Sequence, residues 1–351
     1  KPVKSLKHAL EMCEADLDVW YVKKWKCSQW TVPVKQGTSR VIQTQQYMVR
    51  IDFERLEKKY IQDARDALDK RRQKYAPQYP KAFHPTTKKG NYLGIMGLFD
   101  VHFGKLCWGR ETLNTYDLKI TEKIFENAVE DLINESRGRQ IHRWLLPLGN
   151  DFFHIDNSRN TTFAGTPQDV DGRYAKIFEI GTWSSIKAVE RMLCTAPVDV
   201  IWIPGNHDPT TSYHLCREIK THFRNVDQVN VDIGDTYRKY HLYGHNLLGF
   251  THGNEEKIAT LPNLMAAEKS DWWAKARCRD WFLGHMHKRK SWMTQPMDTH
   301  EGSVIRVIKS LSGTDAWHYR KGYIDDQQAA EVFFYEHDMG YAGHSVVRAR
   351  R

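Results

Sequence analysis

The chain has 351 residues, is 40% hydrophobic and 27% charged, and carries a formal net charge of +9. That length suits a large α/β core with a smaller module, and the apolar share suffices to bury a sizeable core. No run approaches the ~18 apolar residues of a membrane span and no signal-peptide pattern is present, so no membrane contact is expected.

From the N-terminus, residues 6–13 read as a short helix and 19–32, rich in aromatic and β-branched residues, as a strand with room for a bulge. Residues 33–40 read as a turn around Gly37, and 41–53 as a second strand. A helix followed by a hairpin is compatible with a winged-helix-like unit. Trp20, Trp25 and Trp30 alternate with Lys23, Lys24 and Lys26. Either these rings stack on bases beside phosphate-binding lysines, or they form a small core, and core is expected for at least two of the three. A helix is predicted over 54–75 from Leu56, Tyr60, Ala64, Ala67 and Leu68, ending near Lys70, Arg71 and Arg72. Pro77, Pro80, Pro85 and Lys88-Lys89-Gly90 then mark a linker, giving a module over 1–90 and a second domain over 91–351.

Charge follows this division. Residues 1–90 hold 20 Lys and Arg against 10 Asp and Glu, whereas 91–351 hold 32 against 33. A basic module beside a neutral domain points to an anionic polymer, with nucleic acid the expected partner and DNA favoured over RNA. A solvated face, or an arm for an acidic protein partner, is the alternative. The six cysteines have no CxxC spacing and read as free thiols of a cytoplasmic, reducing compartment. The chain opens on Lys1, which leaves room for an upstream segment.

In the second domain, five apolar runs end in Asp, Asn or His. These ends are Asp100-Val101-His102, Gly149-Asn150-Asp151, Gly205-Asn206-His207-Asp208, Thr251-His252-Gly253 and Gly284-His285-Met286-His287. The runs before them (93–99, 144–148, 198–203, 247–250 and 281–283) read as strands. Strand alternation then aims Asp100 with His102, and His285 with His287, into one cavity. Helices are expected over 116–136, 172–194, 212–223 and 264–277, and closing strands over 304–311 and 331–335. Carboxylate, carboxamide and imidazole groups converging at strand ends suit a pair of divalent ions, not a thiolate zinc site. Lone histidines such as His245, His300 and His337 read as structural or exposed.

At these residues the chain resembles the calcineurin-like metallophosphoesterases, over roughly residues 91–300. The resemblance implies a four-layer α/β/β/α sandwich. It implies one metal held by Asp100, His102 and His287, a second by Asn206, His252 and His285, Asp151 as the bridge, and His207 as the catalytic histidine. Manganese is the expected ion, with iron, zinc or magnesium as alternatives. The chemistry stands beside the resemblance: two cations roughly 3.5–4 Å apart activate a shared water and clamp the attacking and leaving oxygens at phosphorus. A bridge needs two oxygens, hence a carboxylate. An imidazole in the adjoining loop can protonate the leaving oxygen near neutral pH. Asp208 reads as an orienting group for His207 or a neighbouring imidazole.

Protein Ser/Thr phosphatases carry an Arg shortly after the bridging Asp and end the third motif in Glu. Here the stretch is Asp151-Phe152-Phe153-His154-Ile155-Asp156 and the third motif ends in Asp208, which argues against them. The spacing of Asp151 and His154 is similar to that of SbcD-like double-strand-break-repair nucleases, in which this second histidine assists turnover. Asn150 stands where those have Gly. Only 64 residues follow His287 and no P-loop occurs, so any nuclease activity is expected to be stand-alone or to depend on a further partner; in its compactness and extra N-terminal region the chain resembles phage-encoded members. The polar segment 157–172, with Arg159, is expected to shape the substrate groove. Lys288 and Arg289 either hold a phosphate backbone or balance nearby acids. The expected function is a DNA nuclease. The alternatives are a small-nucleotide phosphodiesterase or pyrophosphatase, and a nucleic-acid-binding or assembly protein that makes little use of its metals.

Overall fold

The structure is a computed structural model that describes residues 5–36, 40–55, 90–286, 297–300, 302–322 and 327–350. The chain divides into two compact units, Lys1–Gln78 and Tyr79–Arg351.

In the first unit, Ser5 caps the short helix α1 (Leu6–Met12), its side chain accepting from the His8 N–H at 3.3 Å. Strands β1 (Trp20–Gln36) and β2 (Arg40–Arg55) then pair antiparallel from end to end. At about 3.4 Å per residue such a ribbon spans about 50 Å. The register slips once, between Val22 and Lys24, so Lys23 is an extra residue bulged from the ladder. Beyond the bulge, Trp25 lies opposite Ile51 just as Trp20 lies opposite Arg55, which keeps both rings on one face. Trp30, opposite Gln46, falls on the other face.

Several expectations are corrected here. Pro33 to Gln36 continue β1 instead of turning; both strands of a two-stranded ribbon are edges, where a residue without an N–H is tolerated. The tryptophans do not form a core: Trp20, Trp25 and Trp30 are 36%, 45% and 44% exposed. A two-stranded ribbon has no second layer of its own to cover either face. Glu54 and Arg55 end β2 and do not open a helix; the rest of the expected helix, with Lys70, Arg71 and Arg72, lies outside the described residues.

The second unit is mixed α/β. Its six-stranded sheet has the order β13-β12-β3-β4-β5-β6, from β3 (Tyr92–Gly97), β4 (Ile141–Gly149), β5 (Val198–Ile203), β6 (Val229–Asp232), β12 (Ala329–Glu336) and β13 (Gly340–Arg348). Strands β3 to β6 run parallel, joined by α3 (Leu118–Glu135), α4 (Tyr174–Leu193) and α5 (Pro209–His222), and β12 and β13 are antiparallel additions. A five-stranded sheet has the order β10-β11-β9-β8-β7, from β7 (Lys239–Tyr243), β8 (Asn246–Thr251), β9 (Cys278–Leu283), β10 (Met297–His300) and β11 (Ser303–Val307). Short helices α2 (Gly109–Thr112), α6 (Leu261–Glu268), α7 (Ser270–Lys275) and α8 (Ala316–Arg320) complete the described elements, with a 3-10 turn at Ile258–Thr260.

Strand alternation explains the packing. Met96, Leu146 and Val200 join Ile124, Val129, Ile186 and Leu215 of α3 to α5 in one cluster. Their neighbours Ile95, Leu145 and Ile201 point the other way and meet Leu248, Phe250 and Phe282 of the five-stranded sheet. Leu247 and Trp281 pack with Leu261 and Met265 of α6. The strands β6, β7 and β13 carry no clear sequence signal; β6 and β7 are short, and β13 is an edge strand with mixed exposure. The run 264–277 breaks at Lys269 into α6 and α7. All six cysteines are free, and no described helix is long and apolar enough to cross a membrane.

Candidate metal centre

The carboxyl ends of β3, β4 and β5 from one sheet, and of β8 and β9 from the other, deliver Asp100, Asp151, Asn206, His252 and His285. The loops after the first three are stitched side by side. The Asp100 N–H donates to the Asn150 carbonyl at 3.1 Å, His102 to Asp151 at 3.0 Å, and Asn150 to Ile203 at 2.6 Å. Asp100, His102, Asn150, Asp151 and His285 all have φ between 50° and 60°. Non-glycine residues avoid this left-handed region, and a group of them at one place marks a backbone held against its own preference. The same fact corrects the strand-alternation argument. Asp100 and His102 lie beyond the end of β3, and the left-handed kinks, not a pleat, turn them inward.

Glycines let the walls close. A Cβ at Gly205 would fall onto Oδ1 of Asp151, and one at Gly284 would lie 2.7 Å from Oδ2 of Asp100 and 2.8 Å from Oδ1 of Asn150.

Three overlapping groups result. Asp100, His102 and Asp151 have donor atoms within 4.8 Å of one another, as do Asp151, His252 and His285, and as do His102, His154 and His207. Asp151 belongs to two of them. Its Oδ1 accepts the His207 N–H at 2.8 Å and its Oδ2 lies 3.1 Å from His252 Nε2. Asn206 enters through Oδ1, 2.8 Å from the same Nε2. His207 is half-buried, and its Nδ1 is 3.0 Å from the His154 carbonyl, which only an Nδ1–H can satisfy. His154 is buried, with Nδ1 3.2 Å from Nδ1 of His102 and its ring stacked on His207 at 5.2 Å.

His287, Lys288 and Arg289 lie outside the described residues. Arg159 is exposed on its loop, and His245 and His337 sit at Asp338, away from the centre. Asp208 does not orient His207. Its Oδ2 accepts the Phe153 N–H at 2.8 Å, and its buried Oδ1 has no hydrogen-bond partner among the described residues.

The donor set can accept a cation. Asp100, Asp151 and Asp208 are all buried. Burial pushes Asp100 up to about 7, with the charge of Asp151 adding to it. Burial, then Asp151, raise Asp208 well above the carboxylate range. Burial also works against the Asp151 carboxylate, but the charge and hydrogen bond of His252 reverse it and hold its pKa low. His252 is most telling. Burial disfavours its charge, yet Asp151, Asp100 and Asp208 lift it to about 9. Its Nδ1 is taken by Oδ1 of Asn150, while Nε2 faces Asn206 and Asp151. With Oδ1 of Asn150 at Nδ1 and the Asp151 carboxylate at Nε2, the imidazole is satisfied by two ring protons or by one proton and a cation in place of the second. These residues therefore can hold a metal ion, and a divalent ion fits their mixed oxygen and nitrogen donors.

Two features escape motif reading. Asn150, between Gly149 and Asp151, bonds His252 from outside the donor groups; the sequence marks it only as a departure from glycine beside Asp151, with no hint of this contact. Lys105, 2% exposed, pairs with Asp315 at 2.9 Å and lies close enough to His154 to help burial lower its pKa. Nothing in the local pattern signals a buried lysine. No family model and no curated protein matches the chain.

Proposed function

We propose that the chain is a dinuclear-metal phosphodiesterase of the calcineurin-like type, in a four-layer α/β/β/α arrangement, that hydrolyses nucleic acid, DNA in the first place. The observation that carries this reading is Asp151, shared by two donor groups while its Oδ1 accepts the backbone N–H of His207 from the loop after β5. On this reading Asp100, His102 and Asp151 hold one ion, Asp151, Asn206, His252 and His285 hold a second, and His287 completes the first. Two manganese ions, when bound, supply Lewis acidity at the phosphoryl oxygens and an acidified water.

The chain's own residues do the rest. Oδ1 of Asp151 fixes the backbone of the His207 loop, and the His154 carbonyl holds Nδ1–H of the His207 ring. Nε2 is then the atom that gives a proton to the leaving oxygen, and the half-buried ring keeps a path to substrate. His154, stacked on His207 and bonded to His102, keeps that ring in place. In the basic first unit, Lys24 and Lys26 are exposed on the ribbon and offer phosphate contacts.

The test is direct: purified protein with labelled single- and double-stranded DNA and RNA, with and without manganese. Manganese-dependent cleavage of DNA is expected. Hydrolysis of a small nucleotide diester alone, or DNA binding with no metal-dependent cleavage of any substrate, would overturn the proposal in favour of a nucleotide phosphodiesterase or a binding protein.

A further inference from the structure

The polar segment after Asp156 is braced, not loose. Asp156 accepts the backbone N–H groups of Thr211 at 2.6 Å and Thr210 at 3.3 Å, at the start of α5 and directly after His207-Asp208. Within the segment, Asp156 N–H donates to Thr161 at 2.9 Å and Thr162 N–H to Thr166 at 2.9 Å. At the tip, the Phe163 N–H donates to the carbonyl of His207 at 3.0 Å. The backbone of Phe163 is thus one hydrogen bond from the proposed proton donor, yet its side chain is 62% exposed.

Burial of a phenyl ring is favourable, so one left in water on an ordered, mostly polar loop is not explained by packing. It is also not isolated. The segment is laced to the loop after His102 through Leu106 N–H to Asp169 at 3.1 Å and Asp171 N–H to Gly104 at 2.8 Å. That second loop carries the exposed Leu106, Trp108 and Leu113. Of the eight exposed large hydrophobic residues among the described part of the second unit, four lie on these two loops beside the metal centre.

We infer that Phe163 is a stacking platform for an unpaired nucleobase next to the scissile phosphate, so that the centre takes single-stranded or splayed-end nucleic acid in preference to continuous duplex. This rests on the nucleic-acid phosphodiesterase reading above. The chemistry is that of an aromatic ring beside a phosphate-handling centre, with the exposed Arg159 on the same loop. A base inside a duplex has both faces covered by its neighbours and offers nothing to such a ring. An unpaired base offers a whole face.

The experiment compares wild type, Phe163→Ala and Phe163→Trp with manganese. The substrates are a single-stranded DNA oligonucleotide and the same oligonucleotide with one abasic residue scanned through the positions flanking the cut. Stacking is worth about 1–3 kcal/mol per base, so Phe163→Ala is expected to lose about 5- to 150-fold in kcat/KM on the intact strand. Phe163→Trp should retain the wild-type value, which also reports that the loop is folded. One abasic position should reproduce the loss in wild type and add nothing to it in Phe163→Ala. Without metal, 2-aminopurine at that position should be quenched on binding wild type and less so on binding Phe163→Ala. Equal kcat/KM of wild type and Phe163→Ala on the intact strand, or an equal loss on intact and abasic strands, overturns the platform alone. A wild-type protein that hydrolyses a small diester but no oligonucleotide overturns the nucleic-acid reading and the platform with it.

Discussion

Asn150→Gly isolates one contact of the centre. Asn150 is fully buried at φ 56°, a conformation that costs most L-residues about 1–2 kcal/mol, Asn less, and glycine almost nothing. The extra chain entropy of glycine in the unfolded state offsets that relief by a similar amount. The fold should therefore be left near its original stability. What is lost is the acceptor for Nδ1 of His252. With it gone, the imidazole is free to exchange tautomers and to turn Nε2 away from Asp151 and Asn206, which now lie 3.1 and 2.8 Å off. Partners that orient a ligand imidazole are worth about 10- to 100-fold in metal affinity, which is about 1.4–2.7 kcal/mol. Calorimetric titration of the metal-free protein with manganese should show that loss, with an unchanged melting temperature in the absence of metal. Asn150→Asp, which keeps an acceptor oxygen, should recover most of the affinity. If Asn150→Gly bound manganese as tightly as wild type, the orientation of His252 would not depend on this contact and the reasoning would fail.

Four further outcomes are expected. Asp151→Asn should lower both bound manganese and hydrolysis by orders of magnitude, since one residue serves two donor groups; two full-occupancy ions with wild-type turnover would rule that out. His207→Ala should keep its metals yet lose about 10²–10⁴-fold in rate. That loss should shrink on a nitrophenyl diester, whose leaving group needs little protonation, and equal losses on both substrates would make His207 a binding residue. Metal affinity should rise with pH: Asp100 near 7 and His252 near 9 hold protons at neutral pH that an incoming cation must displace, at about tenfold per pH unit per proton. Calorimetry in buffers of different ionisation enthalpy reads the released protons directly, and pH-independent binding with no proton release would contradict it. Finally, Lys23, Lys24 and Lys26 replaced together by Gln should flatten the salt dependence of DNA binding by about one unit of log–log slope per lost phosphate contact. Lys23 should contribute least because it is paired with Glu54 at 3.1 Å, and an unchanged slope would remove the ribbon from the nucleic-acid surface.

How far the sequence could be read depended on the range of the interaction. Strand β5 is legible because a wholly buried parallel strand is a near-continuous apolar run, Val198 to Ile203, and the candidate ligands are legible because each follows such a run. That Asp151 and His252 come within 3.1 Å follows from residue type and strand order together. The left-handed backbone at Asp100 and His102 is not legible, because these residues are held by lateral bonds to Asn150 and Asp151, 50 and 49 residues on. The pairing of Lys105 with Asp315 spans 210 positions and leaves no periodic trace. The tryptophans misled for another reason. Aromatic content reports that a side chain can be buried, not that a second layer exists to bury it, and a two-stranded ribbon supplies none.

The five left-handed residues around the centre also bear on how this protein can change. Each is a position where glycine would suit the main chain better than the side chain that is there. A library selected for heat resistance alone should therefore enrich glycine at Asp100, His102, Asp151 and His285, with Asn150 neutral, and on the proposed reading the survivors should lose their metal. Selection for turnover must hold those same positions at residues the backbone disfavours. On the proposed reading, robustness and activity thus pull in opposite directions at four named sites, and improvement of one without loss of the other has to be sought elsewhere in the chain.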